Sequence, residues 1–176
     1  MSNDKGALDS DTMVGYHGTK RDAAENIIIT NFQLIEDPDY WLGKGAYFFA
    51  DAAAGKDNAL YWAKVYKKYT QWAIIKARIS NQNQLNIVAN TEHRISVKKI
   101  RNMLFRNHVR AGGKAEEFNE NMVFLHIDKT DSFWSYVASI NPASKPTNVV
   151  YDLQIQVCVK DLRAILSREI VQEGIS

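Results

Sequence analysis

Apolar and polar positions alternate most clearly near the end of the chain, in VVYDLQIQVCVKD, residues 149–161. Successive side chains of a strand point to opposite faces, so the odd positions of this segment form one apolar face. The even positions carry a polar row, Asp152, Gln154 and Gln156, with Cys158 after them. This pattern is typical of a half-exposed edge strand, unless a ligand or partner covers the polar side chains.

The rest of the chain alternates between strand-like and helix-like segments. Strands are predicted over 13–16, at the end of the aromatic segment 41–50 and over the β-branched segment 71–80. Apolar residues at helical spacing and glycine breaks predict helices over 20–30, 51–69 and 97–112. One or two further helices are expected between 115 and 140, followed by a proline-bounded loop over 141–147.

Length and composition indicate one domain. The chain has 176 residues, and we expect residues 13–176 to form the domain behind a flexible, polar start at 1–12. A single cysteine cannot form an internal disulfide, which favours a reducing compartment. Without an apolar leader or an apolar run of roughly 18 residues, a cytoplasmic protein with no membrane partner is expected. His93, His108 and His126 show no metal-ligand spacing with one another or with Cys158, so no metal is expected.

Two glycine-containing stretches carry the candidate chemistry. GYHGT, residues 15–19, places a histidine beside a glycine at the end of the first predicted strand. WLGKGAYFF, residues 41–49, has two glycines around Lys44, just before an aromatic strand in which Tyr47 and Phe48 face opposite sides. Glycines permit unusual backbone angles or close approach of a ligand, but each stretch also fits an ordinary turn or strand end.

With Gln154-Ile155-Gln156 on the late strand, these stretches resemble the three signature strands of ADP-ribosyltransferases. The resemblance is to the diphtheria-toxin and poly(ADP-ribose) polymerase branch, which carries a His-Tyr-Glu type of triad, and to small bacterial or phage proteins of that fold. It covers about residues 14–165. The resemblance implies an α+β fold with two small packed β-sheets, an NAD cleft between them and helices outside.

The same resemblance implies that NAD is the co-substrate. The implied NAD-binding residues are His17, Gly18, Thr19, Tyr47 and Tyr61, and the implied triad is His17, Tyr47 and Gln156. The histidine would bond a ribose hydroxyl, and the Gly18 backbone would hold the nicotinamide carboxamide, where a Cβ would obstruct the approach. Tyr47 would stack on one side of the nicotinamide ring, and Tyr61, or else Trp62, on the other.

The third triad position departs from the family. Gln156 stands where most members have a glutamate that bonds the ribose 2′-hydroxyl and stabilises the oxocarbenium-like charge. A glutamine can orient the ribose, but it has no charge and cannot act as a base, so single transfer is implied rather than polymer formation. Gln154 resembles the target-contacting position, and Asp152 is the nearest carboxylate on that face. A glutamate-to-glutamine change made to inactivate an enzyme would leave the same sequence.

The implied activity is transfer of one ADP-ribose from NAD to a macromolecule, either nucleic acid or protein. The family analogy suggests a toxin or defence effector, which a neutralising antitoxin could oppose. Residues 91–114 contain seven Lys and Arg side chains against one acid, Glu92. They predict either a phosphate-binding stripe or a solvated helix face balanced by acidic residues 115–120. The alternatives are an NAD glycohydrolase, with water as acceptor, and a catalytically degenerate module that binds NAD or ADP-ribose.

Overall fold

The computed structural model describes residues 11–36, 40–140 and 154–176. The strands are β1 (Thr12–Lys20), β2 (Ala46–Ala50), β3 (Gln71–Ser80), β4 (Gln84–Asn86), β5 (Ser135–Ile140), β6 (Gln154–Val159) and β7 (Ile165–Ile175). The α-helices are α1 (Arg21–Thr30), α2 (Gly55–Tyr61), α3 (Thr91–Arg110) and α4 (Asn121–Thr130). A π-helical segment, Trp62–Tyr66, continues α2.

The strands form one seven-stranded sheet in the order β4-β5-β6-β2-β1-β3-β7. All neighbours are antiparallel except β4 and β5. The predicted mixed α+β class is therefore confirmed. The expectation of two separate packed sheets is corrected to one sheet, because β2 pairs with β1 on one side and with β6 on the other.

Neighbouring residues of β2 show that both faces of the sheet are covered. Phe48 packs with Phe32 and with residues of α1 in a core on one face. Tyr47 and Phe49 point to the opposite face, where Tyr47 joins a core built on α3 and α4, and Phe49 joins a core built on α2. We call these the α1 face and the α2 face of the sheet.

The predicted strand over 71–80 is confirmed as β3, and the basic helix is α3, which begins six residues before the predicted start. The predicted edge position of the late strand is wrong, because β6 lies between β5 and β2. Both of its faces are therefore buried toward its end, and Cys158 is fully buried. The first part of that predicted strand, 149–153, lies outside the described residues, as does the predicted loop over 141–147.

Several elements were not expected from the pattern. In the region 115–140, where one or two helices were expected, residues 115–117 form a 3₁₀ turn and Asn121–Thr130 form α4. The end of that region, Ser135–Ile140, forms β5 and not a helix. The outer strands β4 and β7 were also missed. β7 mixes apolar and polar residues without strict alternation, and as an outer strand it pairs only with β3.

Gly18 is required by the packing of α2 against β1, which differs from the ligand approach that the sequence suggested. A Cβ at this position would collide with the carbonyl oxygen of Ala59 and lie 3.2 Å from the Ala63 Cβ. We therefore expect Gly18→Ala to lower the free energy of unfolding by about 1–3 kcal/mol, the usual cost of overpacking. Urea denaturation measures it, and an unchanged midpoint would show that α2 does not pack this closely.

Candidate functional site

An opening lies between β1 and β2. The two strands are paired at only two positions, Gly15 with Ala50 and Tyr16 with Phe49. β1 nevertheless continues its pairing with β3 as far as Lys20. Beyond Tyr16, the side of β1 that faces β2 therefore has no strand partner, and a cavity of about 230 Å³ borders this gap.

His17 bridges the separation of the two strands. Its Nδ1 lies 2.7 Å from the carbonyl oxygen of Tyr47. A carbonyl only accepts, so Nδ1 carries the proton, and Nε2 of the neutral ring is left as an acceptor. The rings of Phe32 and Phe48 lie 5.2 and 5.9 Å from the imidazole and hold it in place. His17 Nε2 is therefore held in a fixed position, where it can accept a hydrogen bond from a hydroxyl group.

Burial also favours the neutral form of this imidazole. It lowers the pKa of His17 below its ordinary value of 6.5 and outweighs the opposite influence of the hydrogen bond to Tyr47. The ring is therefore uncharged at neutral pH, and Nε2 is available to accept.

This shift of the His17 pKa predicts a pH dependence of stability. Below pH 6.5 the unfolded chain takes up a proton at His17, whereas the folded protein resists this protonation. The free energy of unfolding therefore decreases as the pH is lowered through that range. We expect wild-type protein to lose more stability than His17→Asn between about pH 7.5 and 5.5. Urea denaturation at both pH values tests it, and equal losses would contradict a neutral buried His17.

The cavity is lined by three parts of the chain. These are the end of β1 with α1, the segment 31–35, and Tyr40 with the start of β2. Its lining residues include Asn26, Asn31 and Gln33, which carry side-chain amides. Its volume is below the roughly 300–1,000 Å³ of pockets for drug-sized ligands, so it fits one part of a dinucleotide.

Tyr47 is fixed at both ends. Its hydroxyl accepts from the Leu42 N–H at 3.1 Å and donates to the Gly43 carbonyl at 2.8 Å. Its ring lies 4.8 Å from the ring of Tyr40, at 45°. Burial raises the Tyr47 pKa, so the phenol stays protonated and serves as a packing and hydrogen-bonding group. Sequence reasoning missed Tyr40, although its place just before the glycine motif was a usable signal.

Gln156 is oriented by Trp41. The indole Nε1 of Trp41 donates to Gln156 Oε1 at 3.1 Å. An indole N–H can only donate, so it selects the oxygen of the amide and leaves the NH₂ group as a donor. Gln156 lies on β6 opposite Phe49, and β6 is the strand beside β2. The contact fixes which end of the Gln156 amide faces Trp41, which the sequence did not reveal.

A buried lysine holds the loop that carries Trp41. Lys160 Nζ donates to the Leu42 carbonyl at 2.5 Å and pairs with Asp128 at 3.0 Å. The Lys160 side chain is only 9% exposed, and Asp128 also accepts from the Tyr136 hydroxyl at 2.5 Å. Because both charges are paired and hydrogen-bonded, this network fixes the loop at a tolerable desolvation cost.

The residues named from the sequence are only partly brought together. His17, Thr19 and Tyr47 line the cavity, with Gly18 between the first two on β1. Gln156 lies one strand beyond Tyr47 and is not among the lining residues. Asp152 lies outside the described residues.

The two candidate stacking residues of the following helix are placed differently. Tyr61 is the last residue of α2, is 42% exposed and does not line the cavity. Trp62 packs beside Phe49 and stacks on Tyr66, with ring centroids 4.5 Å apart. Trp62 is therefore engaged in packing, and Tyr61 remains the candidate that the resemblance named first.

The other polar and reactive side chains of β6 have structural partners. Gln154 donates to Asn58 at 3.1 Å and so ties β6 to α2. Cys158 is fully buried, and burial raises its thiol pKa to about 12. Cys158 is therefore a small core residue and not a reactive nucleophile.

No protein-family model matches the chain, and no curated protein matches it significantly. The described residues contain no group of three or more His, Cys, Asp or Glu side chains that could hold a metal ion. Among the described helices, none is both long and apolar enough to cross a membrane. Function is therefore inferred from the site itself.

Proposed function

We propose that the protein is a mono-ADP-ribosyltransferase, which transfers ADP-ribose from NAD to a macromolecule and releases nicotinamide. The observation that carries the proposal is the bond from His17 Nδ1 to the Tyr47 carbonyl at the opening between β1 and β2. It leaves a neutral imidazole on the α1 face, with Nε2 as acceptor, beside the edge of β1 that has no strand partner beyond Tyr16. The Tyr47 ring is fixed on the opposite face of β2. An aromatic surface, a hydroxyl acceptor and free backbone groups are what a nicotinamide riboside requires.

In the proposed complex, NAD lies across this opening. The Gly18 backbone holds the carboxamide, and the Tyr47 ring packs on the nicotinamide, with Tyr61 as the candidate for its other side. His17 Nε2 accepts from a ribose hydroxyl. The cavity beside α1 takes a further part of the dinucleotide, which its amide side chains can hydrogen-bond.

The chemistry requires stabilisation of a positive charge on the ribose. The bond between C1′ and the nicotinamide nitrogen breaks, and its electron pair leaves with the neutral nicotinamide. An acceptor atom then bonds to C1′ and loses its proton to solvent, because Gln156 cannot act as a base. Gln156 orients the ribose by donating from its NH₂ group, and Trp41 keeps the amide in that orientation. This arrangement favours single transfer to an acceptor that is already a good nucleophile.

The test uses NAD labelled in its adenylate phosphate, with purified protein and three acceptors: cell RNA, DNA and lysate protein. Label transfer and nicotinamide release are followed together. We expect label in one acceptor class, matched by equal nicotinamide release. Nicotinamide without transferred label would replace the proposal with an NAD glycohydrolase. If neither label transfer nor nicotinamide release is seen, but a titration shows NAD binding, the protein would be a module that binds NAD without turning it over.

A further inference from the structure

α3 is the longest helix of the described residues, and it is held only along one side. It spans 20 residues, none of which is fully buried. Val97, Ile100 and Leu104 pack on the α2 face of the sheet, whereas its opposite surface is exposed. At 1.5 Å per residue the helix is about 30 Å long. It therefore presents a long, rigid outer surface.

Six cationic side chains divide into two rows along this surface. At 100° per residue, one row contains Arg94, Lys98 and Arg101, and the other contains Lys99, Arg106 and Arg110. The centres of the rows are about 130° apart around the helix axis. Ile95, Asn102 and Val109 lie between them, and the two apolar side chains of this ridge are 48% and 45% exposed.

Protein contacts engage the first row more than the second. Arg94 donates to the Val88 carbonyl, and Arg101 pairs with Glu120 at 2.6 Å. That pair is about half exposed on both sides and contributes little stability, so Arg101 can exchange its partner. Among the described residues, no acid forms an ion pair with Lys98 or with the second row. Beside the stripe that was one of the two sequence expectations, the helix thus carries a second row of cations without acidic partners in the described part of the chain.

We propose that this outer surface of α3 binds double-stranded DNA, with the helix in the major groove. A helix with its side chains is about 10–12 Å across, and the major groove of B-DNA is about 12 Å wide. The two cationic rows face the phosphates of the two strands, and the ridge between them faces the base edges. Asn102 is a side chain that can read adenine, and apolar groups can contact the thymine methyl.

Two other partners fit this surface less well. The major groove of double-stranded RNA is too deep and narrow for side chains to read. The centre of a protein interface is depleted in charged residues, whereas cations flank this ridge over residues 94–101 on one side and 99–110 on the other. The surface is therefore assigned to duplex DNA.

α3 lies on the α2 face of the sheet, which carries the Tyr47 ring, and not on the face of the cavity beside α1. Its inner residues share a core with Tyr47 and Trp41 on the α2 face. DNA bound along α3 would lie on the side of the sheet to which Tyr47 points. In this role DNA is the acceptor of ADP-ribose, an assignment that rests on the proposed function, whereas DNA binding itself does not.

The test measures the affinity of the full chain for a 20-base-pair DNA duplex by fluorescence anisotropy at several salt concentrations. The variant is the triple change Lys99→Gln, Arg106→Gln and Arg110→Gln. The matched control is Lys56→Gln, Lys68→Gln and Lys129→Gln, which removes the same charge from exposed positions outside α3. We expect the α3 triple to bind at least about tenfold more weakly and its salt slope to fall by about 2–3, since each phosphate contact contributes about 0.9. The control should stay within about twofold.

Equal losses in the two triple variants, tighter binding of duplex RNA, or no binding of DNA by the wild type would overturn the assignment. Asn102→Ala should reduce the preference among DNA sequences with an unchanged salt slope, because the side chain faces bases rather than phosphates. NAD titration of each variant separates the two proposals. A variant that loses DNA binding but still binds NAD reports on the α3 surface alone. A wild-type protein that does not bind NAD contradicts the proposed function and leaves the DNA-binding assignment unaffected.

Discussion

Replacing His17 with alanine is expected to reduce nicotinamide release from NAD by about 100-fold, the order lost when one preorganised active-site hydrogen bond is removed. The imidazole is held by the Tyr47 carbonyl and by two phenylalanine rings, so its Nε2 has a fixed position before NAD binds. Removing it leaves the ribose without this acceptor. Steady-state nicotinamide release and NAD affinity are measured together, and turnover should fall more than affinity.

The matched control for this variant is His126→Ala. His126 is a half-buried histidine on α4 that does not line the cavity, so its loss should change turnover less than twofold. Thermal unfolding of both variants reports any loss of packing around the ring. A His17→Ala protein that is folded and fully active would remove His17 from the reaction.

Replacing Gln156 with glutamate is expected to raise nicotinamide release at least about tenfold. Trp41 can donate to one carboxylate oxygen as it does to the amide, and the second oxygen then accepts from the ribose 2′-hydroxyl. The new negative charge attracts the oxocarbenium-like ribose. Two charges about 4 Å apart interact by about 4 kcal/mol at an effective dielectric constant of about 20, and about 1.4 kcal/mol already gives tenfold.

Gln154→Glu supplies the control, because it adds the same charge two residues earlier on the same strand. Gln154 contacts Asn58 on α2, so a carboxylate there should leave turnover nearly unchanged. Equal effects of the two glutamates would indicate a general charge effect. A Gln156→Glu protein that is slower than the wild type would show that the amide donor itself is needed.

The sequence predicted elements best where the pattern was local. The β-branched run of residues 71–80 gave β3 with its observed bounds, and the alternation around Val157 gave the two faces of β6. Alternation could not show where β6 lies in the sheet, because strand order depends on pairing with distant segments. β7 was missed for the same reason, since only its contacts with β3 define it as a strand.

The candidate site shows the same division between local and distant information. The motifs located His17 and Tyr47, but not the bond between them, which depends on the separation of β1 and β2. Trp41 and Gln156 are 115 residues apart, and Lys160 and Leu42 are 118 apart. No spacing rule connects such pairs. The groups that orient the site therefore became visible only in the folded chain.

The most direct test of the central claim is a crystal structure of the protein with an NAD analogue whose glycosidic bond to nicotinamide cannot break. We predict the nicotinamide ring against Tyr47, its carboxamide on the Gly18 backbone and a ribose hydroxyl within hydrogen-bond distance of His17 Nε2. An analogue bound elsewhere, or bound with its ribose away from both His17 and Gln156, would contradict the account.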